Sequence, residues 1–230
     1  MKQIPIKFIF KKNDKDFFFC VSKKNIFAYE LINQWPEWNN QISFIYGPQD
    51  CGKSLITKLW IKKSQAVQIK IDFFEETKFS QNIKKLEKSR CWVLEDIDLL
   101  LKLKVRNIEE KILNIFNILI NKGDYLLITS KNNPSNLNNN LNDLSSRLKS
   151  TMVVEVKEPD EALIKELIQK KLASKQIIIS EKNINFLINR IERSYASVNK
   201  IIQLIDQKLM ETHSNLSIDF LKKVIEETKL

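Results

Sequence analysis

The octet GPQDCGKS, residues 47–54, constrains this 230-residue chain more than any other stretch. It has the form G-x-x-x-x-G-K-[ST], and it holds two of the chain's three glycines, Gly47 and Gly52. An apolar run, ISFIYG (42–47), leads into it, and a helix-period run, KSLITKLWIKKS, follows. Strand, glycine-rich turn and helix in that order form a phosphate-binding loop. The backbone of Gly47, Pro48, Gln49, Asp50, Cys51 and Gly52 is expected to cradle phosphates at the start of the helix, where unpaired N–H groups and the helix dipole favour anions. Lys53 then reaches the outer phosphates and the Ser54 hydroxyl ligates Mg²⁺. In the helix, Leu55, Ile56 and Leu59 are expected to face inward.

Periodicity along the rest of the chain predicts alternating strands and helices, then helices alone. Ile4, Ile6, Phe8 and Phe10 alternate as in a strand or an extended peptide. FFFCV reads as a second extended run, and 25–38 as a helix ended by Pro36. AVQIKIDFF (66–74), the start of CWVLEDIDLL (91–100), DYLLITS (124–130) and TMVVEVKEP (151–159) read as strands. SQNIKKLEKS reads as a helix, as does 107–123, which stops at Gly123. Leu137, Leu141, Leu144 and Leu148 are spaced for one helical face. From Asp160 only helical periodicity remains. The expected fold class is α/β, a phosphate-loop parallel sheet with helices on both faces, followed by a small all-helical domain. The expected division is 1–10 extended peptide, 11–158 nucleotide-binding α/β domain and 159–230 helical domain.

Other residues point to the same chemistry. An acid at the end of a buried strand is costly unless it meets a cation. Glu95 and Asp96 in VLEDID are therefore candidates for holding Mg²⁺, or for a plain turn or helix cap. Thr129 and Ser130 end a strand where a hydroxyl could meet a γ-phosphate. Arg147, in DLSSRL, is one of 5 arginines against 33 lysines. It reads either as a surface cation or as an arginine finger, a group that neutralises charge on a transferring phosphoryl group and contributes ~10³–10⁵ in rate. His213 reads as solvated, and Trp35 and Trp38 as packing for the entry helix.

The formal charge of +10 points to acidic partners, but Lys and 22 Asn are spread over the whole chain, so direct DNA contact is expected to be weak or indirect. Cys20, Cys51 and Cys91 form no disulfide framework or zinc spacing, and MKQIPIKFIFKKND carries no signal-peptide cleavage pattern. A cytoplasmic protein with no membrane span is expected, near the nucleoid or replisome on the reading below.

Taken in order, the NxxA-type helix ending in WPEW, GPQDCGKS, VLEDID, LLITSKNNP, LSSRL, KEPDEALIKELI and ERSYASVNKIIQLID resemble the AAA+ ATPases of the DnaA family over essentially the whole chain. The layout resembles that of the Hda-like members, and the ATPase module without DnaA's partner and DNA-binding domains is expected. The resemblance implies that 159–230 is a lid domain and that ADP or ATP with Mg²⁺ is the cofactor. Arg147 becomes a finger acting in trans on ATP-bound DnaA, and Arg193, one helical turn before the position of the lid arginine, a partial substitute for it at the nucleotide. QIPIKF then resembles a clamp-binding peptide. Gln3 would sit in a polar notch, Ile4 in the extended backbone, and Ile6 and Phe8 in apolar pockets of the polymerase sliding clamp. Self-association through AAA+ interfaces is also implied.

The chain departs from the family pattern at named positions. Glu95 stands where the family usually has Asp, Ala196 at the lid arginine one helical turn after Arg193, Asp143 at the first arginine of R-L-x-S-R, and Lys131 where an acid or arginine is common. These changes bear on hydrolysis more than on binding. Three readings follow: a regulator that acts on DnaA, a DnaA-like loader or remodeller turning over its own ATP, and a DNA-binding module resting on charge.

Overall fold

The computed structural model describes residues 7–9, 19–103, 105–138, 140–212 and 215–228; the side chains of 7–9, 87 and 228 are not described. Gln3, Ile4, Ile6 and His213 lie outside the described residues. The chain forms two compact units, Asn25–Lys157 and a second made of Met1–Lys24 with Glu158–Leu230.

The first unit opens with α1 (Ile26–Gln34) and β3 (Ile42–Tyr46), after the short strands β1 (Lys7–Ile9) and β2 (Phe19–Val21) of the other unit. It continues with α2 (Lys53–Ser64), β4 (Val67–Gln68), α3 (Phe79–Lys85), β5 (Cys91–Leu94), α4 (Ile97–Leu100), α5 (Ile108–Lys122), β6 (Tyr125–Ser130), α6 (Asn142–Lys149) and β7 (Met152–Glu155). The strands form one parallel sheet in the order β4-β5-β6-β3-β7, flanked by helices. β3, β5 and β6 are buried almost throughout, as parallel strands covered on both faces must be. The core beneath them holds Phe44, Phe74, Trp92, Phe116, Leu126, Leu144 and Leu148.

Three expectations change here. The 66–74 segment is not one strand: β4 is two residues long and Ile71–Phe74 turns into a 3₁₀ helix. Phe73 and Phe74 pack on each other and on Phe79 with ring centroids 5.8–6.4 Å apart, which draws the chain off the sheet edge. In α2 the buried face is Ile56, Thr57 and Trp60, while Leu55 and Leu59 are only half-buried. The leucine stripe is one buried face made of two pieces. Leu144 and Leu148 lie on α6, while Leu137 and Leu141 precede it and pack on the same core.

The second unit carries α7 (Glu161–Ser174), α8 (Glu181–Ile188), α9 (Tyr195–Thr212) and α10 (Ile218–Thr228). Asp160 caps α7 by accepting from Leu163 N, and Ser180 caps α8 by accepting from Asn183 N, so both starts are set by sequence-local chemistry. Leu163, Leu167, Ile184, Leu187, Ile201, Ile205 and Leu221 fill its core. β1 and β2 pair antiparallel, with Phe8 opposite Cys20. Burial pushes the Cys20 thiol up to about 12, with Glu166 adding to the shift and Lys171 and Lys170 opposing it. Among the described residues, no helix is long and apolar enough to cross a membrane.

Phe116 is fully buried in the core of the first unit, whereas Phe27 on α1 is 68% exposed. Phe116→Ala should lower stability by about 3–5 kcal/mol and Phe27→Ala by no more than about 0.5 kcal/mol. Urea midpoints followed by far-UV circular dichroism would separate the two.

Candidate phosphate site at the carboxyl edge of the sheet

Strand register brings the site together. Tyr46 pairs with Ser130, and Leu94 with Ile128, so β3, β5 and β6 end at one edge of the sheet. The chain crosses from β3 to β4 and works back through β5 and β6 before β7 takes the other side of β3. Ligands of open α/β sheets bind at such a switch point, beyond the carboxyl ends of the strands. β5 is not beside β3; β6 lies between them. The insertion puts the strand-end hydroxyls of Thr129 and Ser130 between the loop and the acids.

The loop itself is tightly held. Gly47 N donates to Ser130 O at 3.2 Å, and Val156 N donates to Tyr46 O at 2.7 Å. A Cβ on Gly47 would stand 2.0 Å from Val156 O, so no larger residue fits without moving the strand that follows β7. Asp50 (φ 56°) and Gly52 (φ 105°) take left-handed conformations that turn the chain into α2. α2 begins at Lys53 with no side-chain cap, and Leu55 N and Ile56 N bond back to Gly52 O. This start of a helix presents backbone N–H groups and the positive dipole end toward the loop. Lys53 is largely buried, and its ammonium donates to Gly47 O and Pro48 O, both at 2.8 Å. Ser54 is exposed on the first turn. Cys51 is buried inside the loop, and burial pushes its thiol up, with Lys53 opposing the shift.

The acids divide their roles. Glu95 accepts from Thr57 Oγ1 at 2.7 Å through Oε1 and from Gln68 Nε2 at 2.5 Å through Oε2. Asp96 is exposed, takes a left-handed conformation (φ 51°) at the start of α4, and donates its backbone N–H to Thr129 Oγ1 at 3.0 Å. Desolvation raises the Asp96 carboxyl above its ordinary value; nearby Lys53 opposes this, and Glu95 and Asp98 add to it. Asp98, 5% exposed, accepts from Ser130 Oγ and from Lys131 N, both at 3.0 Å. The Thr129 and Ser130 hydroxyls therefore tie β6 to the acid-bearing turn.

The donor set suits a hard divalent cation. Ser54, Glu95 and Asp96 offer oxygen ligands, and Mg²⁺ takes one or two carboxylates while keeping water. The buried lysine and the uncapped start of α2 suit phosphate oxygens.

Sequence reasoning missed Thr57, Gln68 and Asp98. Thr57 stands four residues after Lys53, on the same helical face, and that spacing was available to read. Gln68 reaches Glu95 only because it pairs opposite Val93 across β4 and β5, which no local pattern announces. Arg147 is exposed on α6, and Arg193, in the other compact unit, pairs with Glu161 at 3.1 Å. Trp35 and Trp38 pack on Trp60 and Tyr125, at centroid distances of 5.1–6.4 Å, and brace α2.

Because the Asp96 carboxyl is raised, its charge costs the fold stability at neutral pH, and the cost disappears as pH falls through the raised value. Asp96→Asn, which keeps a residue suited to the left-handed conformation, should raise Tm at pH 7. The gain should shrink toward zero below the ordinary carboxylate range, as read by thermal scans from pH 7 to pH 3.5.

The family model of the bacterial DnaA ATPase domain matches residues 11–155. The chromosomal replication initiator protein DnaA of Nautilia profundicola is 25% identical over 224 residues, 91% of this chain and 51% of that protein, so the chain spans about half the length of this relative. Domain III of DnaA from Thermotoga maritima superposes with a TM-score of 0.79 at 20% identity, covering 97% of this chain and 98% of that one. AMPPCP-bound DnaA from Aquifex aeolicus superposes with a TM-score of 0.70 at 21% identity, covering 84% of this chain and 65% of that one. These structural likenesses carry the AAA+ fold. Since the family model spans well over half of its length, the chain belongs to the bacterial DnaA ATPase domain family.

Proposed function

We propose that this chain is an Hda-like regulator of replication initiation. It holds ADP or ATP in the loop Gly47–Ser54, anchors to the sliding clamp through Gln3, Ile4, Ile6 and Phe8, and promotes hydrolysis of the ATP carried by DnaA. The single observation that carries the holding half of this reading is Glu95, whose two oxygens are both engaged by Thr57 and Gln68. The loop, the buried lysine and the helix start are formed, while the strand-end carboxylate is turned into a side-chain network. That arrangement favours a nucleotide kept for shape over a motor cycle. The binding of AMPPCP by DnaA of Aquifex aeolicus supports an adenine nucleotide as the ligand.

On this reading the backbone of residues 47–52 and the α2 N-terminus bind the phosphates, and Lys53 swings from the loop carbonyls to the outer phosphate. Ser54, Glu95 and Asp96 would hold Mg²⁺, which supplies positive charge against the phosphates when bound. Thr129, through the Asp96 backbone, and Asp98, through Ser130, fix the acid-bearing turn. Arg147 stands exposed on α6, where a neighbouring nucleotide site can receive it. Arg193 is proposed, by the family resemblance, as a partial substitute for the lid arginine whose position Ala196 takes.

The clamp half of the proposal rests on the sequence QIPIKF. Within it the described residues Lys7 and Phe8 are extended, as a peptide bound by strand-like contacts needs to be.

Two binding measurements test the proposal. Native chain should bind ADP, and Lys53→Ala should weaken that binding by about 10–100-fold, the loss of a charge-assisted contact. With ADP present, native chain should bind purified sliding clamp at micromolar affinity or tighter, and Gln3→Ala/Phe8→Ala should abolish it. Native chain that ignores the clamp would remove the anchor and leave a self-acting DnaA-like ATPase as the better account.

A further inference from the structure

Helix α6 carries Arg147 but does not cap itself. Its N-cap position is Leu141, which offers no side-chain acceptor. The acceptor comes from 31 residues upstream. Glu109, in the first turn of α5, accepts from Asn140 N at 3.0 Å through Oε1 and at 2.8 Å through Oε2. It also accepts from Leu141 N at 2.8 Å and from Asn140 Nδ2 at 3.4 Å. One carboxylate thus satisfies consecutive backbone donors at the start of α6 and places negative charge at its positive dipole end. The other end is pinned as well: Asn40 Nδ2 donates to Ser150 O at 2.8 Å, while Asn40 Oδ1 accepts from Ile42 N at the foot of β3. Leu144 and Leu148, fully buried, fix the rotation of the helix about its axis. Only the outward face, with Arg147, is left exposed.

We infer that Glu109 is a positioning residue for Arg147, an inference that rests on the finger role proposed above. Glu109 does not touch Arg147. It sets where the helix begins, and with Asn40 and the leucine face it leaves α6 no freedom to slide or tilt. A finger gains its effect only when its guanidinium is held in place, since an ångström of misplacement costs on the order of 100-fold in rate. The surrounding sequence, NNNLND, is mostly Asn and Asp, which are weak helix formers.

Two variants, Glu109→Ala and Glu109→Gln, test this beside Arg147→Ala. The first readout is amide hydrogen exchange. Asn140 and Leu141 should exchange faster by about tenfold or more in Glu109→Ala, with β3, β5 and β6 unchanged. The second is hydrolysis of ATP bound to DnaA, with clamp present. Glu109→Ala should lower the maximal stimulated rate by at least about tenfold and leave the half-saturating concentration of the chain within about twofold, while its own ADP affinity stays native. Glu109→Gln, which keeps one acceptor, should fall between. A purely structural role would instead lower Tm and reduce rate and ADP affinity together. If Arg147→Ala is inactive and Glu109→Ala keeps the native maximal rate, the positioning role is wrong and the finger stands. If the native chain gives no stimulation, or Arg147→Ala matches it, the finger falls and the role of Glu109 falls with it.

Discussion

The double-sided pairing of β3 is the constraint on which the site depends. β3 is hydrogen-bonded to β6 on one edge and to β7 on the other, and the loop leaves it at the point where both neighbours end. Gly47 is then caught between Ser130 O and Val156 O. That wedge fixes the first residue of the loop, Gly52 ends the turn, and α2 starts in a single direction. The acids arrive from β5, one strand further out, and they reach the loop through side chains: Glu95 to Thr57 on α2, and the Asp96 backbone to Thr129 on β6. The geometry of the candidate phosphate site therefore depends on the sheet as well as on the local loop motif.

On the proposed reading, the same site separates holding from turnover. Binding needs the loop, Lys53 and the start of α2, and all three are built from buried or backbone-locked groups. Hydrolysis needs a carboxylate placed to order the attacking water, and here each Glu95 oxygen already accepts a side-chain hydrogen bond. The departures from the family pattern at Glu95 and Ala196 would, on that reading, fall on the hydrolytic side of this division. Arg147 lies on the exposed face of a helix held at both ends by Glu109 and Asn40.

Much of this was legible in the sequence, for physical reasons. The glycine pair, the apolar strand before it and Lys53 after it are local requirements of one turn, so the motif and its context agree. α5 was readable because Gly123 stops it in a left-handed conformation (φ 71°). The 66–74 segment was misread because Val67, Ile69, Ile71 and Phe73 alternate as a strand should. In the fold Val67 and Ile71 face outward, and Phe73 and Phe74 leave the sheet to pack on Phe79. Gln68 and Glu109 carried no local signal, since their partners lie 27 and 31 residues away. What escaped the sequence is the long-range polar support of the site, which depends on register.

The measurement that bears most directly on the account is a single-turnover reaction with the isolated chain in excess over labelled ATP and Mg²⁺. The account predicts ATP retained in a Lys53-dependent complex with no ADP formed above the rate in buffer. Steady, Lys53-dependent conversion to ADP by the chain alone would contradict it, and would mean that the Thr57–Glu95–Gln68 network opens to serve the chain's own hydrolysis.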